Sequence, residues 1–398
     1  MTTTICQTSI IYPSNNDIAG LIGRQSTSAT RKSREPSSIM EPNDSAHKEQ
    51  MEKSDNSTWR RERVKLSRKL QERYDAGQPL FTKSQLASLA EQIAHKSRLV
   101  EIEGMDGKMN WDPIGWDQFE DEPIQRLVIP SPSDEPDELP KPSCSVNVER
   151  TALHPQMTPD QVALAVVKIG AAFQKHEKTW QASPQFQELK NILSSVLIPN
   201  VINKIICFGL GDLAPDSDDD KYSLYSEHSE PRSHIQHAVA LTLAQILGGR
   251  TGREIRCYSQ DPAYTQASIE FLKSRHIMVL NDPQGFLDVD EYTLVFSVAP
   301  TVPVKQIVTD LARPAIIVWD TEVPAEMDKM DWKHMRFPDG NMTWISPWIS
   351  DPDSARTRRM EKEEYTSYPF PEDGVAMFET QILVKKASNG ADDAVQCL

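Results

Sequence analysis

The sequence has few cysteines and no long apolar run. Its five cysteines are widely scattered, without a CxxC pair or a Cys/His cluster at zinc spacing: Cys6, Cys144, Cys207, Cys257 and Cys397. This pattern predicts neither a disulfide framework nor a zinc module, and it favours reduced thiols in an intracellular protein. No apolar run approaches the ~18 residues of a membrane-spanning helix, and the mean hydropathy is −0.51. We therefore expect no membrane-spanning segment.

Positive charge is in deficit. The chain has 43 Lys+Arg against 58 Asp+Glu, a formal net charge of −15. This balance argues against nucleic acid or an anionic membrane as the main partner. The first residues lack a basic segment followed by an apolar core, so no secretory signal is expected. The acid-poor stretch before Glu35 is similar to a weak mitochondrial presequence, but a cytosolic tail is the simpler interpretation. The expected location is the cytoplasm, with the nucleus as an alternative.

The composition predicts one folded core with polar flanking segments. The hydrophobic fraction is 38%, and 28 prolines outnumber 16 glycines. Such a composition is typical of a globular domain joined to Pro-rich tails. We predict a disordered tail over 1–55, a basic helical arm over 56–100, an acidic Pro-rich linker over 101–150, a folded domain over 151–385 and a disordered tail over 386–398.

Two helices are predicted in the arm. The first, over Trp59–Tyr74, reads WRRERVKLSRKLQERY and is followed by the helix-ending residues Asp75–Gly77. It either contacts RNA or a protein partner, or it presents a solvated charged face. The second helix begins at a capping box in which Thr82 and Gln85 bond each other's backbone.

The folded domain shows alternating helix and strand signals. Two helices are predicted to begin after Thr158 and Ser183, each followed by proline at the first helical position. Five apolar strands then follow, each but the third separated from the next by a helix: 204–208, 255–259, 277–280, 293–298 and 315–319. Near-continuous apolar strands separated by helices are typical of a parallel sheet covered on both faces. We predict a Rossmann-like α/β fold with strand order 3-2-1-4-5.

Candidate ligand-binding residues follow the strands. In such a sheet the ligand crevice lies at the carboxyl ends of the strands. Gly209 and Gly211 belong to a G-x-G-x-x-A sequence that fits the dinucleotide fingerprint. However, Pro215 and the acidic run 216–220 follow where a phosphate-binding helix would begin. The glycines therefore either approach a nucleotide or only allow a tight turn.

Four other residues join this predicted crevice. Asp261 follows the second strand, where it either accepts hydrogen bonds from a ribose or starts a turn. Arg232 and His234 lie at the predicted start of the next helix, where they could meet an anion. Asp320 ends the fifth strand.

That helix is predicted to begin at Ser233. The sequence Ser233-His234-Ile235-Gln236 fits a capping box, in which the serine hydroxyl and the Gln236 side chain bond the backbone at each other's position.

The motifs KIICFGLGDL, RSHIQHAVALTLAQIL, CYSQDPAYT, LVFSVAPTVPVKQIVTDL and IIVWDT, over about 200–322, resemble those of the Sensitivity-to-Red-light-Reduced-like (SRR-like) domain family in its fungal form. The resemblance implies a Rossmann-like domain in proteins linked to light signalling and circadian regulation in plants and to haem biosynthesis in animals. Plant and animal members carry a Pro-His-Cys element after the fourth strand and Gly-Asn-Ser after the fifth. This chain has Ala299-Pro300-Thr301 and Trp319-Asp320-Thr321 instead, so a haem or metal role through that His/Cys pair is not transferred.

Three functional hypotheses remain open on the sequence. The first is a regulatory, non-catalytic protein that senses a small molecule or docks a protein partner. The second is a methyltransferase-like enzyme that binds an adenosyl or nucleotide cofactor through Gly209, Gly211 and Asp261. The third is a scaffold that acts through the basic arm and the linker. The sequence names no cofactor, catalytic residue or partner, and it predicts no metal site.

Overall fold

The computed structural model describes residues 72–73, 76–95, 97, 99–103, 109–113, 126–128, 147–149, 157–198, 202–214, 226–300, 302–321, 333–336, 342–345, 351, 353–372, 376–377 and 379–387. Its helices are α1 (Lys83–Ala94), α2 (Pro159–Gln181), α3 (Pro184–Ser195), α4 (Ser226–Thr251), α5 (Gln266–Ser274), α6 (Gln284–Asp288), α7 (Val304–Leu311) and α8 (Ala355–Glu364). Its strands are β1 (Leu99–Glu103), β2 (Met109–Pro113), β3 (Arg126–Val128), β4 (Asn147–Glu149), β5 (Lys204–Phe208), β6 (Arg256–Gln260), β7 (Ile277–Val279), β8 (Thr293–Ser297), β9 (Ile316–Asp320), β10 (Lys333–Arg336), β11 (Met342–Ile345), β12 (Tyr365–Pro369) and β13 (Thr380–Lys385).

A seven-stranded sheet forms the centre, in the order β12-β13-β9-β8-β5-β6-β7. Strands β5 to β9 are mutually parallel, and their spatial order is the predicted 3-2-1-4-5, which is confirmed. Strand β13 runs antiparallel to β9, and β12 runs antiparallel to β13. This reversed hairpin at one edge was not predicted from the sequence.

Successive residues of a strand belong to two separate hydrophobic cores, one on each face of the sheet. Ile205 and Cys207 pack with α2, α3, α4 and α5 on the first face. Ile206 and Phe208 pack with α1, α6, α7 and α8 on the second face. Because side chains alternate between the faces of a strand, a strand that is apolar at every position needs cover on both sides. The predicted α/β class with helices on both faces is confirmed.

The second helix of the predicted arm is part of this domain. The capping box at Thr82 and Gln85 is present, as predicted. Leu86 and Leu89 of α1, with Phe81 before it, are buried in the second core. Strand β1, which pairs with β2, adds two more buried residues to that core, Val100 and Ile102. The segment predicted to be a linker over 101–150 thus begins with a packed strand pair, and it also contains the pair β3–β4.

Helix α4 differs from the prediction at its start. It begins at Ser226, so Ser233 lies inside the helix and does not cap it. Gln236 donates its side-chain N–H to the Ala376 carbonyl, 3.1 Å away, which is a tertiary contact and not the predicted capping bond. Pro231 lies inside the helix without ending it. A Ser-x-x-Gln sequence after a proline fits a helix start equally well, so the capping-box prediction at Ser233 was wrong.

Several predictions fall on other segments. The tail over 1–55, the helix over Trp59–Tyr74 apart from residues 72–73, the acidic run 216–220 and the tail over 386–398 apart from residues 386–387 lie outside the described residues. Within the described part of the chain, no helix is both long enough and apolar enough to cross a membrane.

Candidate functional site

The loops that follow the parallel strands meet at one edge of the sheet. Phe208 at the end of β5 pairs with Gln260 at the end of β6 and with Ser297 at the end of β8. Across these ends, the Gly209 N–H donates to the Gln260 carbonyl at 3.3 Å. The predicted residues Gly209, Gly211 and Asp261 are therefore brought together. Asp320 lies two strands away from them, at the end of β9.

Both glycines of the first loop adopt left-handed backbone conformations. Gly209 has φ +69° and Gly211 has φ +78°, values that favour glycine. A Cβ on Gly209 would lie 2.9 Å from Cα of Pro300, and one on Gly211 would lie 2.5 Å from Oγ of Ser233. These contacts explain both glycines by the packing of the protein itself, as the tight-turn interpretation requires. Their approach to a nucleotide stays a prediction.

Two aspartates join the loops after β5 and β6. The Asp261 carboxylate accepts the Gly211 N–H at 2.7 Å and the Ala263 N–H at 2.8 Å. In the opposite direction, Asp212 accepts the Thr265 N–H at 2.8 Å, and it also accepts the Ala214 N–H at 3.0 Å. Asp261 thus acts as a turn-forming residue that also holds the neighbouring loop, and its predicted contact with a ribose stays a prediction. Sequence reasoning missed Asp212.

His234 faces helix α2. Its ring is fully buried, stacks on His176 with ring centroids 5.5 Å apart, and contacts the Phe173 ring edge-on at 6.0 Å. Burial lowers the pKa of His234 to about 3, and the nearby His176 and His237 lower it further. At neutral pH this imidazole is uncharged, so it would meet an anion only through an N–H. The predicted anion contact of His234 and the half-buried Arg232 stays a prediction.

A series of buried, hydrogen-bonded polar side chains lies beside the turn that contains Gly209 and Gly211. His237 donates from Nδ1 to the Ser233 carbonyl at 2.6 Å, because a carbonyl only accepts. Its Nε2 therefore accepts from the Tyr264 hydroxyl at 2.8 Å, and Tyr264 in turn bonds the Ser259 hydroxyl at 2.6 Å. Burial lowers the pKa of His237 to about 4, although the hydrogen bond to Ser233 opposes this shift. These hydrogen bonds tie α4 to β6 and its loop, and sequence reasoning missed the part of His237 in them.

Asp320 marks a second group of ionisable residues at this edge. Its carboxylate accepts the Ala299 N–H at 3.0 Å. Burial raises the pKa of Asp320 to about 6, and the carboxylates of Asp353 and Glu379 add to the shift, whereas Lys305 opposes it. Both Ala299 and Glu379 have positive φ, 46° and 50°. Strained non-glycine residues of this kind are concentrated at functional sites.

Lys305 lies at the centre of this group, on the amphipathic helix α7. Its Nζ is 3.1 Å from Oδ1 of Asp353, and its backbone N–H donates to Oδ1 of Asp351 at 2.8 Å. Burial alone would lower the pKa of Lys305, but the carboxylates of Asp351, Asp353 and Asp320 outweigh it, and the pKa is raised. Sequence reasoning missed this lysine, because a charge in a helix that also carries Gln306 and Asp310 gives no sign of burial.

Glu361 on α8 completes the group. It accepts from the indole N–H of Trp319 at 3.1 Å and from the Gln381 amide at 3.2 Å. Burial raises its pKa to about 7, opposed by Lys305 and by these two hydrogen bonds. Among the described residues no group of three or more His, Cys, Asp or Glu side chains is arranged to hold a metal ion.

The fold and this edge define a class of protein: a Rossmann-like α/β domain whose polar residues gather at the carboxyl ends of the strands. The sequence model of the SRR1 domain family matches residues 171–369, and the chain belongs to this family. The resemblance identified from the sequence motifs is thereby confirmed at the level of the family. Comparisons with curated proteins and with solved structures found no match.

Proposed function

We propose that this SRR1 domain protein is regulatory and non-catalytic, and that it binds a small molecule or a protein partner at the carboxyl edge of its sheet. The observation that carries the proposal is the engagement of the edge carboxylates with backbone amides of neighbouring loops. Asp261 bonds Gly211, Asp212 bonds Thr265, and Asp320 bonds Ala299. Carboxylates used in this way hold loops in register, and a ligand that contacts one loop would shift the others.

The pathway follows from the family resemblance and belongs to the same proposal. The resemblance implies regulation in circadian or light signalling, or in haem biosynthesis. The proposed location, the cytoplasm or the nucleus, is the one expected from the sequence.

The second candidate is a methyltransferase-like enzyme. It is favoured by the order of the parallel strands, because the switch point between β5 and β8 is where doubly wound sheets bind nucleotides. The packing around Gly209 and Gly211 argues against the methyltransferase-like enzyme. The space next to Gly209 and Gly211, where a nucleoside would approach the backbone, is taken by Pro300 and Ser233.

A ligand screen on the full chain separates the two candidates. The free energy of unfolding is measured with and without adenosylmethionine, NAD, NADP, ATP and haem, because a ligand at 100 times its Kd adds about 2.7 kcal/mol. Each stabilising compound is then incubated with the protein and a protein-free cell extract, which supplies acceptors for a methyl group or a hydride, and is measured again by chromatography. Stabilisation without consumption supports a sensor, whereas conversion of the compound to a product supports the enzyme. If no compound stabilises the protein, partner docking is the remaining form of the proposal.

A further inference from the structure

The ionisable group around Asp320 has an unusual composition. We call it the acid–lysine cluster and define it by one lysine and five carboxylic acids: Lys305, Asp320, Asp351, Asp353, Glu361 and Glu379. These residues come from α7, the end of β9, the segment before α8, α8 itself and the segment before β13. Distant parts of the chain are therefore brought to one place.

Among the described residues of the cluster, carboxyl groups outnumber cations. If every group were ionised, one positive and five negative charges would give 1 − 5 = −4. Lys305 is 1% exposed and Asp351 is 6% exposed, so water screens these groups weakly. Buried carboxylates that exceed their cations must either take up protons or bind another cation.

Asp351 supplies an independent sign of a missing donor. Its Oδ1 accepts the backbone N–H of Lys305, whereas its Oδ2 is buried and has no hydrogen-bond partner. The Asp351 carboxyl lies close enough to Lys305, Asp320 and Asp353 for all three to act on it electrostatically. Buried carboxylate oxygens normally accept at least one hydrogen bond. The unpartnered oxygen therefore points to a ligand that donates one.

We propose that the acid–lysine cluster binds an organic cation, an alkylammonium or guanidinium group that donates to Oδ2 of Asp351. The inference rests on the proposed function and names the ligand class. Asp353 already pairs with an ammonium, that of Lys305, so the cluster has the chemistry that such groups need. Charge-assisted N–H bonds to carboxylates are among the strongest in proteins. Glu379 is the exposed member of the cluster, so the cation enters beside this residue.

The binding test uses n-butylammonium and methylguanidinium as probes, with n-butanol as the uncharged control. Titration calorimetry on the full chain at about pH 8, above the pKa of Asp320 and of Glu361, is expected to show saturable binding of the cations and none of butanol. Binding of butanol with the same affinity would overturn the proposal, because an apolar pocket would then explain the result. So would the lack of saturation at concentrations well above a Kd of about 1 mM.

Matched substitutions locate the site. Asp351→Asn keeps an oxygen that accepts the Lys305 N–H but removes the charge and the free acceptor, and we expect about tenfold to hundredfold weaker cation binding. Asp290→Asn is the control. Asp290 also pairs with a lysine, Lys204 at 2.8 Å, but at the opposite end of the sheet, so its substitution should leave the affinity unchanged. Equal effects of the two substitutions would place the cation elsewhere.

A second variant covers the case in which Asp351→Asn fails to fold. Glu379→Gln changes only an exposed side chain, and it should weaken cation binding several-fold, more at low salt than at high salt. An affinity unaffected by Glu379→Gln at low salt would contradict entry beside that residue and, without a folded Asp351 variant, would overturn the proposal.

The pH dependence gives a further readout. Burial raises the pKa of Asp320 to about 6 and that of Glu361 to about 7, so protons compete with the cation below those values. Affinity should therefore rise with pH between about 6 and 7, by up to tenfold per unit for each proton released. An affinity that does not change with pH in this range would contradict the site.

The outcomes are distinguishable from those of the ligand screen. If an added cation is bound but chemically converted, the site stands and the non-catalytic role fails. If cations do not bind while a compound of the screen stabilises the protein unchanged, the proposed function stands and the cluster is not its ligand site.

Discussion

Gly211 and Gly252 illustrate how two residues with the same backbone conformation differ in their surroundings. Their φ angles are +78° and +65°, so both lie in the left-handed region that favours glycine. Next to Gly252 there is open space, whereas a Cβ on Gly211 would meet the hydroxyl of Ser233 at 2.5 Å. The effect of a substitution therefore separates backbone strain from steric overlap.

We predict that Gly211→Ala destabilises the protein more than Gly252→Ala does. Both substitutions should lose about 1–2 kcal/mol from the left-handed conformation, and Gly211→Ala should lose about 1–3 kcal/mol more from overpacking. Chemical denaturation measures both. In the Ser233→Ala background the extra loss should shrink, because the clashing hydroxyl is gone. Equal losses at the two glycines would show that Ser233 moves away freely.

A second residue-scale prediction concerns His237. Burial lowers its pKa from 6.5 to about 4 in the folded protein, so the unfolded chain binds more protons between these values. The contribution of His237 to the free energy of unfolding is therefore at its full value above about pH 6.5. It is lost as the pH falls to 4, at about 1.4 kcal/mol per pH unit. His237→Gln should remove this slope.

The measurement for His237 is the difference between wild type and variant in the free energy of unfolding at several pH values. The difference is needed because other groups titrate in the same range. The titration of His234 makes stability rise with pH, as that of His237 does. Buried acids with a raised pKa, such as Glu361, make stability fall as the pH rises. Parallel pH profiles of the two proteins would contradict the prediction.

At the scale of elements, helix α1 is joined to α7 and α8 through one carboxylate. Asp310 on α7 accepts the backbone N–H groups of Leu80 and Phe81, at 2.8 and 3.0 Å, and it pairs with Arg356 on α8 at 2.6 Å. Burial raises the pKa of Asp310 despite these partners. The desolvation of the carboxylate is therefore only partly offset, which is typical of a buried ion pair.

We predict that Asp310→Asn destabilises the protein by about 3–5 kcal/mol, because it removes the carboxylate that pairs with the buried Arg356. The control is Glu364→Gln at the Arg313–Glu364 pair, whose side chains are 32% and 38% exposed; it should lose less than about 1 kcal/mol. Both are measured by denaturation of the full chain. The double change Asp310→Leu with Arg356→Met should lose less than Asp310→Asn alone, and a larger loss would contradict the ion-pair explanation.

At the scale of the whole molecule, the folded unit is larger than the family match. The match ends at residue 369, but β13 (Thr380–Lys385) lies inside the sheet, between β9 and β12. Its residues Ile382, Leu383 and Val384 are buried. Before the match, α1 and β1 cover part of the second core. The predicted domain over 151–385 includes β13 but not α1.

We predict that a fragment of residues 76–387 unfolds cooperatively, whereas one of residues 171–369 does not. The shorter fragment lacks β13 and would expose the edge of β9 and both cores. Circular dichroism during denaturation compares the two, and the intermediate fragment 151–387 measures the contribution of α1 and β1. Cooperative unfolding of 171–369 would show that β13 is dispensable.

Local sequence determined much of the fold. The parallel strands were predicted because runs such as Ile205–Phe208 are apolar at every position, and only a sheet covered on both faces buries such a run. The capping box at Thr82 and the proline-started helix after Thr158 were predicted because caps depend on residues three positions apart. The family was identified from ordered motifs of the same local kind.

Only the tertiary structure decided what the candidate residues contact. Gly211 meets Ser233, His234 stacks on His176, and Lys305 lies among carboxylates from the end of β9, the segment before α8 and α8 itself. The interpretation of Ser233 as a cap failed because the local pattern fits both a helix start and a buried helix position. The insertion of β13 beside β9 joins residues about sixty positions apart. Contacts across such separations depend on how whole elements pack, and no short-range pattern in the sequence encodes them.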